Sequence, residues 1–246
     1  MRALLYLLFL TGLATAGELR VMSYNIHHGV GMDGKLDLQR IAGIIKKEKP
    51  DLVALQEVDQ SVPRSGKVDQ AEALARLLGM KHIFRKCIDL HGGAYGNAVL
   101  SKHPIDDVVV HRLPGKGEPR IALEVQVMVG RKRLSFCSVH FDWTTEAVRL
   151  LQAKSLETHL AKRKHPVLLL GDFNARPESQ TMQYLARTWS IVPKKEERLT
   201  CPANKPRDEI DYILTLGLDA SKASCRVLPE AAASDHRPLF GRISLP

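Results

Sequence analysis

VLLLGDFNARP, residues 167 to 177, is an apolar run that breaks at a glycine into a carboxylate, an aromatic and an amide. The apolar residues Val167 to Leu170 are bounded by His165-Pro166 on one side and Gly171 on the other. A short, unbroken apolar run with such boundaries reads as a strand covered on both faces, because a half-exposed strand would alternate. Asp172 and Asn174, two residues apart, project to the same side of that strand. They stand at its carboxyl end, where α/β proteins place their clefts. A strand covered on both faces requires a layer on each side, so this segment already implies a stacked architecture.

Working outward, the same criteria predict strands near 19 to 27, 51 to 58, 82 to 88, 96 to 101, 105 to 113, 120 to 129, 132 to 141, 167 to 173, 210 to 216, 224 to 228 and 238 to 245. Helical periodicity appears at 37 to 49, 69 to 79, 145 to 162 and 179 to 188. In the third helix Ala147, Leu150, Leu151, Leu156 and Leu160 approach a 3.6-residue repeat behind Thr144 or Thr145 as N-cap. Strand and helix alternate at the start, strands follow one another from 82 to 141, and strand and helix alternate again. The expected fold is α/β, with two mixed β-sheets packed face to face and helices outside.

The chain opens MRALLYLLFLTGLATAG, in which Arg2 precedes an apolar stretch and Ala14-Thr15-Ala16 fits the small-residue rule for signal-peptidase cleavage. Residues 1 to 16 are expected to be a signal peptide, with 17 to 246 forming a single domain. The apolar stretch is shorter than the ~20 residues of a spanning helix, and no later segment qualifies as one. A secreted or periplasmic, monomeric protein is therefore expected. Loss of Arg2 lowers the formal net charge from +9 to +8. That sign favours anionic partners, nucleic acid among them. The basic residues are scattered and few aromatics lie among them, unlike a stacking platform for single strands. Cys87, Cys137, Cys201 and Cys225 show no zinc-type spacing. Cys137 reads as a core residue, whereas Cys201 and Cys225 bracket a strand and could pair.

Other strand ends carry polar groups like those of the opening segment. Asn25 ends LRVMSYN, Glu57 ends DLVALQE, His140 ends RLSFCSVH, Asp211 lies in EIDYIL, and Asp235-His236 follow in SDHRP. Each alone could be a capped turn or a satisfied buried group. Together they point to one shared acidic site.

SYNIHHG, LQEVD, YGNAVLS, SVHFD, GDFN, IDYIL and SDHRP, in this order from Leu19 to Leu245, resemble the endonuclease/exonuclease/phosphatase superfamily. LTCPANKP and RSGKVDQ bring the chain nearer an exported bacterial subgroup than the deoxyribonuclease I branch. The resemblance implies a four-layered α/β sandwich and metal-dependent cleavage of phosphate esters. It implies Glu57 as ligand to Mg²⁺ (or Mn²⁺), with Asn25 holding that carboxylate or touching the metal and Asp235 on the metal side. Asp172 would orient or deprotonate the attacking water and Asn174 would donate its amide to phosphate. His236, oriented by Asp211, would be the imidazole on the phosphate, with His140 opposite. Tyr95, Asn97 and Arg120 are candidate substrate contacts. His27 and His28 receive no role.

The chain departs from the deoxyribonuclease branch at Asn97, where a carboxylate would orient the first histidine. An amide cannot stabilise an imidazolium as a carboxylate does, so His140 is expected to act as a donor to phosphate rather than as the principal acid or base. The expected function is a secreted phosphoesterase acting on small or lipid-derived esters by in-line attack of water. The alternatives are a secreted Mg²⁺-dependent nuclease and, from another class, a binding protein on an inactive scaffold.

Overall fold

A computed structural model describes residues 17 to 245, so the signal peptide expected over 1 to 16 lies outside the described residues. In chain order the elements are β1 (Glu18–Asn25), α1 (Leu38–Glu48), β2 (Leu52–Gln60), α2 (Gln70–Leu78), β3 (Lys81–Leu90), β4 (Gly93–Ser101), β5 (Ile105–Leu113), β6 (Arg120–Val129), β7 (Lys132–His140), α3 (Glu146–Leu160), β8 (Val167–Asp172), α4 (Gln180–Leu185), β9 (Ser190–Ile191), β10 (Lys194–Lys195), β11 (Asp211–Leu216), β12 (Ala223–Val227) and β13 (Leu239–Ser244). One sheet has seven strands in the order β10-β12-β13-β1-β2-β4-β3, and the other has six in the order β5-β6-β7-β8-β11-β9. The pairs β1/β2, β7/β8 and β10/β12 are parallel and the remaining ladders antiparallel, so both sheets are mixed.

Three apolar clusters account for four layers. Leu19, Val21, Ala54, Val99, Leu123, Phe136, Leu168 and Leu170 fill the space between the sheets. Met22, Tyr24, Val53 and Leu55 turn the opposite way, onto Ile41 and Ile45 of α1 and Leu74 of α2. Cys137, Val139, Val167 and Leu169 pack against Ala153, Leu156 and Leu160 of α3 and Met182 and Leu185 of α4. β8 thus feeds alternate residues to two cores, which is why VLLL shows no polar face.

Each helix begins where a side chain can satisfy its free amides: Asp37, Asp69, Thr145 and Ser179 accept from the residue three positions on. Beneath the carboxyl ends of the central strands lies a polar layer between the sheets. Gln56 donates to Ser138 Oγ at 3.0 Å, and Ser138 Oγ donates to the Leu55 carbonyl at 3.0 Å. Such bonds satisfy groups whose burial would otherwise be costly and fix how the two sheets align.

The structure corrects several boundaries. β2 does not end at Glu57 but continues to Gln60 through an irregularity in its pairing with β4 between Leu55 and Val58. α4 stops at Leu185, because the chain turns there to bring Ser190 and Ile191 beside β11. β9 and β10 are edge pieces of two residues each, too short to carry a period. All four cysteines are free. Cys225 is buried between the sheets, while Cys201 lies in the loop against His236, so the bridge between them does not form.

Candidate active site

Strand register assembles the centre of the site. His140 on β7 lies opposite Asp172 on β8, and Asp172 lies opposite Asp211 on β11. All three share the parity of residues that face between the sheets, so their side chains converge at the end of that layer. The approach is close because of Gly171: a Cβ there would fall 1.9 Å from the Val139 carbonyl oxygen. The glycine that punctuates the sequence therefore lets β8 lie against β7 and aim Asp172.

Asp172 Oδ1 accepts the Asn174 backbone N–H at 2.8 Å. Its Oδ2 accepts from Asn25 Nδ2 at 3.1 Å and stands 3.5 Å from His140 Nε2 and 3.6 Å from His236 Nε2. Two imidazoles thus point at one carboxylate oxygen from beyond hydrogen-bond length. Burial pushes the Asp172 carboxyl well up, the nearby Asp211 and Glu57 charges add to the rise, and His236 opposes it.

The two histidines differ in what lies behind them. His236 Nδ1 donates to Asp211 Oδ2 at 2.9 Å. Burial opposes its charge, yet Asp211 and Asp172 overcome that and hold it protonated well above the ordinary imidazole range. Behind His140 is Arg120, whose Nη1 lies 2.8 Å from His140 Nδ1. A guanidinium can only donate, so Nδ1 accepts and the proton of a neutral ring sits on Nε2, facing Asp172. Burial first, then the Arg120 and His236 charges, hold His140 well below the ordinary range. The group orienting this imidazole is a cation from β6 and not a carboxylate from β4.

Glu57 reaches the site through the β2 irregularity, with its own backbone at φ 57°. A bulge of this kind re-aims a side chain that strict alternation would send elsewhere. Asn25 Nδ2 donates to Glu57 Oε1 at 3.0 Å as well as to Asp172, and its Oδ1 accepts the His27 N–H at 3.1 Å. Asn25 thus braces the Glu57 and Asp172 carboxylates through one amide nitrogen. Asp235 stands on the same wall, in a loop tied to β1 by Ser234 Oγ donating to the Asn25 carbonyl at 2.7 Å. Burial raises the Glu57 carboxyl; the Asn25 hydrogen bond opposes the rise and the Asp235 charge adds to it. The His236 charge offsets only part of this, and the paired hard carboxylate oxygens of Glu57 and Asp235 are a donor set that fits Mg²⁺.

These groups open on a cavity of about 300 Å³, lined by Glu57, Tyr95, Arg120, His140, Asp172, Asn174, Asp235 and His236. Asp211 and Asn25 stand behind that lining. Asn97 is the correction: it is buried and its Nδ2 donates to the carbonyls of Ile121 at 3.1 Å and Ser138 at 3.4 Å. Its amide ties the sheets together below the cavity floor instead of meeting substrate. Asn174, at φ 48°, spends one amide proton on the Phe141 carbonyl at 3.0 Å and keeps the other. Two lining residues had no role in the sequence reading. Glu118 pairs with Arg120 Nη2 at 3.1 Å, and Trp143 is 67% exposed at the rim. Each lies close to a motif residue, but nothing in KGEPR or HFDW marks a side chain as facing the cavity.

Residues 22 to 236 match the family model described as the endonuclease/exonuclease/phosphatase family. The chain belongs to that family. A structure of this family from Beutenbergia cavernae is 26% identical, with a TM-score of 0.75 over 93% of this chain and 72% of that one. A mannosyl-6-phosphatase from Bacteroides thetaiotaomicron is 18% identical, with a TM-score of 0.74 over 91% of this chain and 98% of that one. The human Nocturnin catalytic domain with a bound sulfate anion is 19% identical, with a TM-score of 0.70 over 93% and 95%. The last two establish likeness of fold. Comparison with curated protein sequences gives no match. Endonuclease/exonuclease/phosphatase proteins are hydrolases of phosphate esters that generally bind a divalent metal.

Proposed function

We propose that this family member is an exported, Mg²⁺-dependent phosphoesterase that cleaves small or lipid-derived phosphate esters by in-line attack of water. The observation carrying the proposal is the convergence of His140 Nε2 and His236 Nε2 on Asp172 Oδ2, at 3.5 and 3.6 Å. Asp172, its affinity for protons raised by burial, takes the proton of the attacking water as the ester P–O bond breaks. The leaving oxygen departs with that bond's electron pair, to be protonated by solvent. His236, kept charged by Asp211, and His140, an Nε2–H donor, hold the phosphoryl oxygens on which negative charge builds. The free amide proton of Asn174 adds a neutral donor. Glu57 and Asp235 would hold the metal, which supplies charge neutralisation at the phosphate.

Support for a small ester comes from the cavity's charge. Arg120 is the one arginine or lysine among its lining residues, and it is paired with Glu118. A wall bearing one neutralised guanidinium is poorly suited to tracking a polyanion, whereas exposed Trp143 offers an apolar face to a leaving group or lipid. Hydrolysis of bis-(p-nitrophenyl) phosphate should require a divalent cation and fall by about 10²–10⁴-fold in Asp172→Ala and in His236→Ala. Turnover undiminished by chelator would remove the metal from the proposal. Export rests on Arg2, the apolar stretch after it and the Ala14-Thr15-Ala16 pattern, and N-terminal sequencing of protein recovered from source cells should return Gly17.

A further inference from the structure

The turn His27-His28-Gly29 faces a second cavity, of about 240 Å³, which shares Glu57, Tyr95 and Glu118 with the first. Both histidines have left-handed backbones, φ 45° and 42°. That conformation is uncommon outside glycine and persists only where surrounding structure enforces it. Gln70, fully buried at the start of α2, does so: its Nε2 donates to the His28 carbonyl at 2.7 Å and its Oε1 accepts the Asp59 N–H at 2.9 Å. In an extended strand consecutive rings would point to opposite faces. Here they turn to one side, with centroids 4.4 Å apart.

The nitrogen inventory of this pair is that of a ligand set. His27 Nδ1 donates to the Val30 carbonyl at 3.1 Å, leaving the Nε2 lone pair free. A carbonyl behind one imidazole nitrogen is the usual support for a metal on the other. His28 Nδ1 is buried without a hydrogen-bond partner. One ligand atom each from His27, His28 and Glu57 lie within 4.8 Å of one another. Bonds of about 2.0–2.1 Å in a tetrahedral site would bring such atoms to about 3.4 Å, a small rotamer adjustment. Arg64, which lines this cavity, is engaged by Asp59 through bonds of 2.8 and 2.9 Å, which offsets its charge.

We propose that His27, His28 and Glu57 form a second metal site, selective for a borderline transition-metal cation of the Zn²⁺ class. Two imidazoles and one carboxylate suit Zn²⁺, whereas the all-oxygen wall of Glu57 and Asp235 suits Mg²⁺. Glu57 stands between the two, and the remaining coordination position of the second site opens to the cavity for water or a phosphate oxygen. Metal binding is measured without turnover, so failure of this proposal leaves the hydrolytic reading standing.

The test uses the mature chain stripped with chelator and titrated with Zn²⁺ alone. Histidine-detected ¹H–¹⁵N spectra should show the imidazole nitrogens of two of the ten histidines perturbed, with metal analysis giving about one Zn²⁺ per chain. His27→Gln and His28→Gln should each weaken binding at least 100-fold while melting as wild type does in chelator. Asp172→Asn should retain it. Absence of a two-histidine response in the wild type overturns the proposal, as does full stoichiometry in both glutamine variants. Loss of Zn²⁺ in Asp172→Asn alone would also overturn it, by moving the metal to the Asp172, Asp211 and His236 cluster. If either glutamine variant fails to fold, the wild-type spectra decide.

Discussion

His140 and His236 are the same residue type, within reach of one carboxylate oxygen, yet their partners set them to opposite protonation states. Asp211 accepts from His236 and keeps it charged, while burial, reinforced by the Arg120 guanidinium that donates to the ring, keeps His140 neutral. The asymmetry makes a prediction at this scale. In Arg120→Leu the cation that disfavours the His140 imidazolium is gone, so its pKa should rise toward the ordinary value near 6.5. Titration of the His140 ring by NMR should show this rise while the wild-type ring stays neutral through the same range. An unchanged titration would mean that burial and the His236 charge set the state of the ring without Arg120. The variant should also lose activity on phosphate esters, because the Nε2–H donor is no longer fixed in its tautomer.

Along the elements, one buried carboxylate that holds the fold together lies away from the active site. Glu124 on β6 is fully buried against α3's end and accepts from Ser135 Oγ at 2.5 Å, His111 Nε2 at 2.7 Å and Arg163 Nη2 at 2.7 Å. Burial favours its neutral form, but these bonds outweigh burial and hold its carboxyl down to about 2. A carboxyl whose folded pKa is depressed stabilises the protein fully above its unfolded pKa, near 4.3, and that contribution is lost as pH falls toward the folded value. The melting temperature of the wild type should therefore drop between about pH 4.5 and 2. Glu124→Gln should be destabilised at pH 7 by about 1–3 kcal/mol, since an amide cannot accept from Ser135, His111 and the partly exposed Arg163 as the carboxylate does. Its stability should depend less on pH across the acid window. Denaturant melts of both proteins at several pH values measure this, and parallel acid profiles would refute it.

For the whole molecule, a net charge of +9 and a cavity holding one paired arginine lead to different expectations about substrate. Contact with many phosphates releases counterions, giving a log–log slope with salt near −0.9 per phosphate neutralised. An ester held by one phosphate should show a shallow response. We therefore expect kcat/KM on small or lipid-derived esters to change little between low and moderate salt, and plasmid DNA to be a poorer substrate. Rapid, steeply salt-sensitive nicking of plasmid that vanishes in Asp172→Ala would establish the nuclease alternative.

Local sequence determined the longer strands, the helices and the doubly covered character of β8, because periodicity, glycine and proline boundaries and N-caps act over a few residues, whereas the two-residue edge strands β9 and β10 left no such signal. It also determined which polar residues end strands, since a carboxylate closing an apolar run is visible without any partner. Tertiary structure decided what those residues do to one another. Asn97 sits on the expected strand with the expected parity, but the carbonyls of Ile121 and Ser138 across the sheet interface claim its amide. Glu57 enters the site through a β-bulge, and Arg120 meets His140 through pairing of β6 with β7. Glu118 and Trp143 reach the cavity from loops with no period. The physical reason is common to all: a hydrogen-bond partner is chosen by cross-strand register and sheet packing between residues distant in the chain, and no local pattern encodes that distance.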